Sequence, residues 1–162
     1  MGVGQSWSDW WRRFLGVAAD RRQKMIEVLS ERYIEESRHV ARFTEHADRM
    51  QYPQFRHRLL AIAADHAEHV EMIGEKIKQL GGRLLGVPPL SPSEKNSWQY
   101  LLEDLNEQQR SLAELLAQVQ TIKEELPEVA ELLMKINQDG ARHRAAIRDM
   151  LMKSDPQALW SG

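Results

Sequence analysis

Apolar residues recur at three- and four-residue intervals along most of this chain, and no stretch alternates with the two-residue period of a strand. The pattern predicts four long helices. The first runs from about Ala18 to Met50, with Ile26, Leu29, Tyr33, Val40, Phe43, Ala47 and Met50 along one seam. Pro53 is placed to start the second, which continues to about Leu80 and is stopped by Gly81-Gly82. Its seam is Phe55, Leu59, Ile62, Ile73 and Leu80. Ser91-Pro92-Ser93-Glu94 reads as a capping box opening the third helix, which reaches about Glu125. Pro127 opens the fourth, and Ser154-Asp155-Pro156 ends it. These elements predict an all-α four-helix bundle over residues 18–153, built from two antiparallel helical hairpins. Residues 1–17 form a separate segment with a short helix, and residues 154–162 a tail.

The two hairpins look related. Pro53 and Pro127 are 74 residues apart, and Ile62/Ile136, Asp65/Asp139 and His69/His143 keep the same offset. The connection between the hairpins, Arg83 to Leu90 with its ends, extends to on the order of 34 Å, while the helices are about 40 Å long. A crossover along the bundle therefore requires frayed helix ends, and a simple up-down-up-down path stays open.

Polar residues interrupt each apolar seam near its middle: Glu36 on the first helix, His66 and His69 on the second, Gln108 with its neighbour Glu107 on the third, and His143 on the fourth. Antiparallel packing brings helix middles to one level. Imidazoles and a carboxylate inside a core cost free energy unless they pair or bind something. Two readings follow. One is a metal site, because this donor set suits iron, zinc, manganese or copper. The other is a hydrogen-bonded cluster in which Glu36 accepts from His69 or His143.

Composition narrows the remaining classes. The formal charge is −2, which gives no electrostatic case for nucleic acid. There is no cysteine, so thiolate and disulfide chemistry are excluded. No apolar run approaches a membrane span, and the start lacks the apolar core of a secretory signal, so a soluble, cytoplasmic protein is expected. Met1 to Ser6 matches the short myristoylation pattern, which also reads as a flexible glycine-rich start. Trp7, Trp10, Trp11, Phe14 and Leu15 share one helical face beside Arg12 and Arg13. That face reads either as a docking helix for a membrane surface or protein partner, or as a lid folded over one bundle end, which is the expectation adopted. His39, His46 and His57 fall off the seams and are expected to face solvent.

The stretch IAADHAEHVEMIGEKIKQLGG, Ile62 to Gly82, resembles the second helix of rubrerythrins and related ferritin-like proteins. The resemblance implies a ferritin-like bundle that binds iron or another transition metal, assembles as a homo-oligomer, and handles iron or reduces peroxide. It also implies ligands at Glu36, His66, His69 and His143, with Glu107 as the third-helix candidate and Tyr33 competing with Glu36. This chain departs from the family where it carries His66 and Gly140 in place of the two bridging glutamates. Those departures argue against a full di-iron centre and for a single ion, or for a site that has decayed into an interaction module.

Overall fold

The computed structural model describes residues 3–91 and 93–157, with side chains from residue 9 onward. All regular structure among them is helical: α1 (Val3–Asp48), α2 (Pro53–Gln79), α3 (Ser97–Ile122), α4 (Pro127–Ile136), a 3-10 turn (Asn137–Asp139) and α5 (Gly140–Met152). The four-helix bundle is formed by α1, α2, α3 and the broken helix α4–α5. No helix among the described residues is long and apolar enough to cross a membrane.

Ion pairs fix the directions. Arg21 and Lys24, in the first half of α1, meet Glu128 and Glu125 beyond the end of α3. His46 near the end of α1 lies beside Asp104 near the start of α3. These two helices are thus antiparallel. The Gln51 N–H donates to Ser97 Oγ at 3.1 Å, which places the N-termini of α2 and α3 at the same end. Residues 80–96 must therefore run back along the whole bundle.

That crossover resolves the alternative left open by the sequence. The third helix begins after Asn96, whose side chain accepts from Gln99 N–H while Gln99 reaches back to the Asn96 N–H, a complete capping box. Ser91, Ser93 and Glu94 remain in the connection. Seventeen residues extend to on the order of 55–60 Å, ample for a helix of about 39 Å. Gly81 enters the crossover at φ +81°, a conformation glycine adopts without a Cβ penalty. A Cβ on Gly82 would lie 2.8 Å from Ile77 Cγ2 and 3.0 Å from Ile26 Cγ2, so the departing chain hugs the helix ends.

The core is split in two. Phe43, Leu59, Leu101 and Ile147 centre one apolar cluster, and Leu29, Ile73, Leu126 and Leu133 the other. Between them lies the polar layer. The fourth bundle helix breaks at that level, because Asn137, Asp139 and Gly140 are all poor helix formers. The sequence pattern had implied a continuous helix there.

The N-terminal segment is not a separate short helix and not a lid. It continues unbroken into α1, which is 46 residues long. Residues 9–24 are exposed throughout, with Trp10 at 54% and Phe14 at 53% exposure, stacked on each other at 5.5 Å. The lid expectation failed because Gly16, Val17 and Ala18 tolerate helix, and nothing turns the chain back. The side chain of Trp7 and the Met1–Ser6 pattern fall largely outside the described residues. Deleting residues 1–17 is expected to change chemical-denaturation stability by no more than about 0.5 kcal/mol, since exposed segments contribute little.

Candidate metal centre

Helix α1 buries two interleaved seams, as a helix flanked by two neighbours must. One includes Leu29, Glu36, Phe43 and Ala47 with the residues read from the sequence. The other is Met25, Arg32, His39 and His46, and it carries three further buried polar groups. Arg32, Glu36 and His39 are 5%, 3% and 2% exposed. Helix α2 adds His66 and His69, α3 adds Gln108 and Ser111, and α5 adds His143. A cavity of about 30 Å³ lies among them, enough for one small ion or one or two waters.

Glu36 is the hub. Its Oε2 accepts from His66 Nδ1 at 2.6 Å and from His69 Nδ1 at 3.1 Å, and its Oε1 is 3.8 Å from the Arg32 guanidinium. Burial works to raise the Glu36 pKa. The hydrogen bonds from His66 and His69 outweigh it and hold the carboxyl well below the usual range. Arg32 also donates to Ser111 Oγ at 3.2 Å. The second ring nitrogen of His66 faces Gln108 Nε2 at 3.4 Å.

The repeat at 74 residues has a structural meaning. His69 Nε2 faces Asp139 Oδ2 at 3.2 Å, and His143 Nε2 faces Asp65 Oδ2 at 2.8 Å. Each hairpin thus lends its aspartate to the other's histidine. Arg142 bridges both aspartates. Burial works to lower the His69 pKa, but the Glu36 and Asp139 carboxylates outweigh it and raise it, favouring an imidazolium with both nitrogens donating. Burial lowers that of His143 despite the Asp65 bond, so this ring stays neutral.

His39 is different. Neither of its ring nitrogens makes a hydrogen bond, although the ring is almost wholly enclosed and packs 4.7 Å from His66. Burial, followed by the neighbouring His66 charge, pushes its pKa down to about 3. One ligand atom each from Glu36, His39 and His66 lies within 4.8 Å of the others, and all three residues are buried.

The expected site residues therefore separate. Glu36, His66, His69 and His143 do meet at one level. Glu107 does not join them: it is held by Arg110 and belongs to another group with Glu35 and His39. His39 and His46, expected to face solvent, are buried; His57 is exposed. His46 Nδ1 lies 2.7 Å from Asp104 Oδ1, at contact distance though outside hydrogen-bond geometry. The signal was present in the sequence: Arg32, Glu36, His39, Phe43 and His46 repeat at four- and three-residue steps. Polar residues off the apolar seam have, in sequence alone, the same appearance as a solvated face.

Two iron ions do not fit this donor set. Among the described residues Glu36 is the one carboxylate lining the cavity, and the Arg32 guanidinium already contributes a buried positive charge. Two divalent cations would bring four positive charges against that one lining carboxylate, while Asp65 and Asp139 are already engaged by His143, His69 and Arg142. A single ion fits.

The geometry defines a four-helix bundle with a long crossover and a buried His/carboxylate layer between two apolar clusters. The model of the ferritin-like domain family matches residues 43–155, and the chain belongs to that family. No curated protein sequence matches it. Among solved structures, the chain is similar to a ferritin-like, diiron-carboxylate protein from Bacillus anthracis str. Ames, with 16% identity, 81% of this chain and 97% of the other covered, and a TM-score of 0.70. It is also similar to the Desulfovibrio desulfuricans bacterioferritin, a protein with a diiron site, at 22% identity, 83% and 81% coverage and a TM-score of 0.74. A dodecameric thioferritin from Bacteroides fragilis matches at 14% identity, 82% and 86% coverage and a TM-score of 0.71. At these identities the likeness establishes the fold.

Proposed function

We propose that this ferritin-like chain holds one transition-metal ion, iron in the first instance, between Glu36, His39 and His66, and acts in metal handling. The observation that carries this reading is His39. A buried imidazole with two unpartnered nitrogens costs about 1–3 kcal/mol, and a metal beside Glu36 and His66 would supply the missing partner. The di-iron chemistry of the similar B. anthracis and D. desulfuricans proteins supports iron as the first metal to test. The dodecameric B. fragilis relative supports self-assembly.

The residues have separate parts in this reading. His69, pinned between Glu36 and Asp139, orients the carboxylate rather than ligating. His143, anchored by Asp65, closes the cavity wall. Arg32 balances the Glu36 charge, and the apolar clusters above and below exclude water. Iron held there would supply one-electron chemistry toward oxygen or peroxide.

A second reading has its own observation. Glu36 already has partners on both oxygens, Arg32 on one and two histidines on the other, so the layer also resembles a self-satisfied polar network in a non-catalytic assembly module. Elemental analysis of tag-free protein after anaerobic Fe(II) loading and gel filtration separates the two. The first reading expects one iron per chain, lost in His39→Leu. Less than a tenth of an equivalent (about 0.1) in the wild type would favour the second.

A further inference from the structure

The centre is buried, so an ion must pass protein to reach it. The α1–α3 face offers a path. Glu35 and Glu107 are partly exposed, with side chains at 15% and 19%, and their carboxylates form a second group with His39 in which one ligand atom from each lies within 4.8 Å of the others. His39 Nε2 is 3.8 Å from Glu35 Oε1, too long for a hydrogen bond and open to an ion between them. Beside this group, Glu31, Arg32, Glu35, Glu114 and Gln118 line a surface hollow of about 300 Å³. Arg32 lines both that hollow and the inner cavity.

We infer that Glu35, His39 and Glu107 form an outer station for a divalent cation, which His39 passes inward to Glu36 and His66. The acidic pair alone would be an ordinary surface feature. What distinguishes it is the unpartnered, enclosed imidazole common to both groups. A neutral imidazole has one lone pair, so His39 serves one station at a time and the two are occupied alternately. Arg110 holds the outer carboxylates in the absence of an ion, donating to Glu35 at 2.6 Å and to Glu107. It is half exposed and also paired with Glu114, which can keep the guanidinium when a cation displaces it. The outer station would take a borderline ion such as Fe(II), Co(II) or Zn(II), as two carboxylates and one imidazole do.

This inference rests on Glu36, His39 and His66 being the inner centre, and its test keeps the two apart. Tag-free protein is mixed with Co(II), and the visible ligand-field absorption is followed by stopped flow; equilibrium dialysis gives the final stoichiometry. The double variant Glu35→Gln/Glu107→Gln is expected to fill to the wild-type level but about tenfold or more slowly, the scale of electrostatic focusing. His66→Ala, or His66→Leu should the smaller side chain unfold the bundle, is expected to retain Co(II) at the outer station and to lose it when both glutamates are also replaced. Wild-type filling rates in the double variant, with no ion retained by the His66 variants, would overturn the station and leave the inner centre standing. Binding that survives Glu36→Gln and His66→Ala unchanged but vanishes with the two outer glutamates would overturn the inner centre instead. A wild-type protein that binds no Co(II) overturns both.

Discussion

Replacing His39 with leucine is expected to stabilise the metal-free protein by about 1–3 kcal/mol and to weaken metal binding by more than about 100-fold. The opposing signs come from one fact. Both nitrogens of His39 are enclosed and unpartnered, so the ring is unfavourable in the folded apo state. Leucine fills a comparable volume without a polar atom to desolvate. A side chain kept for structure would show the reverse, with stability falling on replacement. Urea unfolding of the two apo proteins measures the first effect, and competition against a chromophoric chelator the second. A gain of a few kcal/mol in a chain of this size raises Tm by several degrees. An apo His39→Leu protein less stable than wild type would show that the imidazole has partners that stabilise the fold.

Acid is expected to enlarge that difference. The ordinary histidine pKa is 6.5, and His39 is pushed down to about 3 in the fold. The unfolded chain therefore binds the proton more readily than the folded one between those values. Stability from the neutral ring is fully present above pH 6.5 and is lost as pH falls toward 3. At pH 5 the loss is about 2 kcal/mol, from about 1.4 kcal/mol per unit. His143, also lowered, acts in the same direction. His69 opposes them, because its raised pKa gives stability that is present below pH 6.5 and lost as pH rises through its folded value. The comparison that isolates His39 is the wild type against His39→Leu. Their stability difference should widen by about 2 kcal/mol between pH 7.5 and 5. A constant difference across that range would mean that the ring takes up its proton equally readily in the folded and the unfolded chain.

Much of this fold could be read from spacing. Pro53 and Pro127 both start helices, as the 74-residue repeat suggested, and its Asp65/Asp139 and His69/His143 pairs proved to be exchanged contacts between hairpins. The polar layer was legible because charged residues interrupted otherwise apolar seams. His39 was missed because that logic was applied to one seam of α1. A bundle helix faces two neighbours, and its second seam is written partly in polar letters when those letters pair across it, as Arg32 does with Ser111 and His46 with Asp104. The crossover was left open for a different reason. Ser91-Pro92-Ser93-Glu94 has the side chains of a helix start, but the chain needs those residues to span the bundle, and Asn96 with Gln99 caps equally well. Local signals rank candidate starts, and the distance to be covered chooses among them.

The most direct test is a crystal grown with Fe(II) or Co(II) and measured at the metal's absorption edge. One anomalous peak within bonding distance of Glu36, His39 and His66 is the predicted result. Two peaks about 3.5–4 Å apart in the layer, the separation of paired metal ions, or none there at saturating metal, would contradict it.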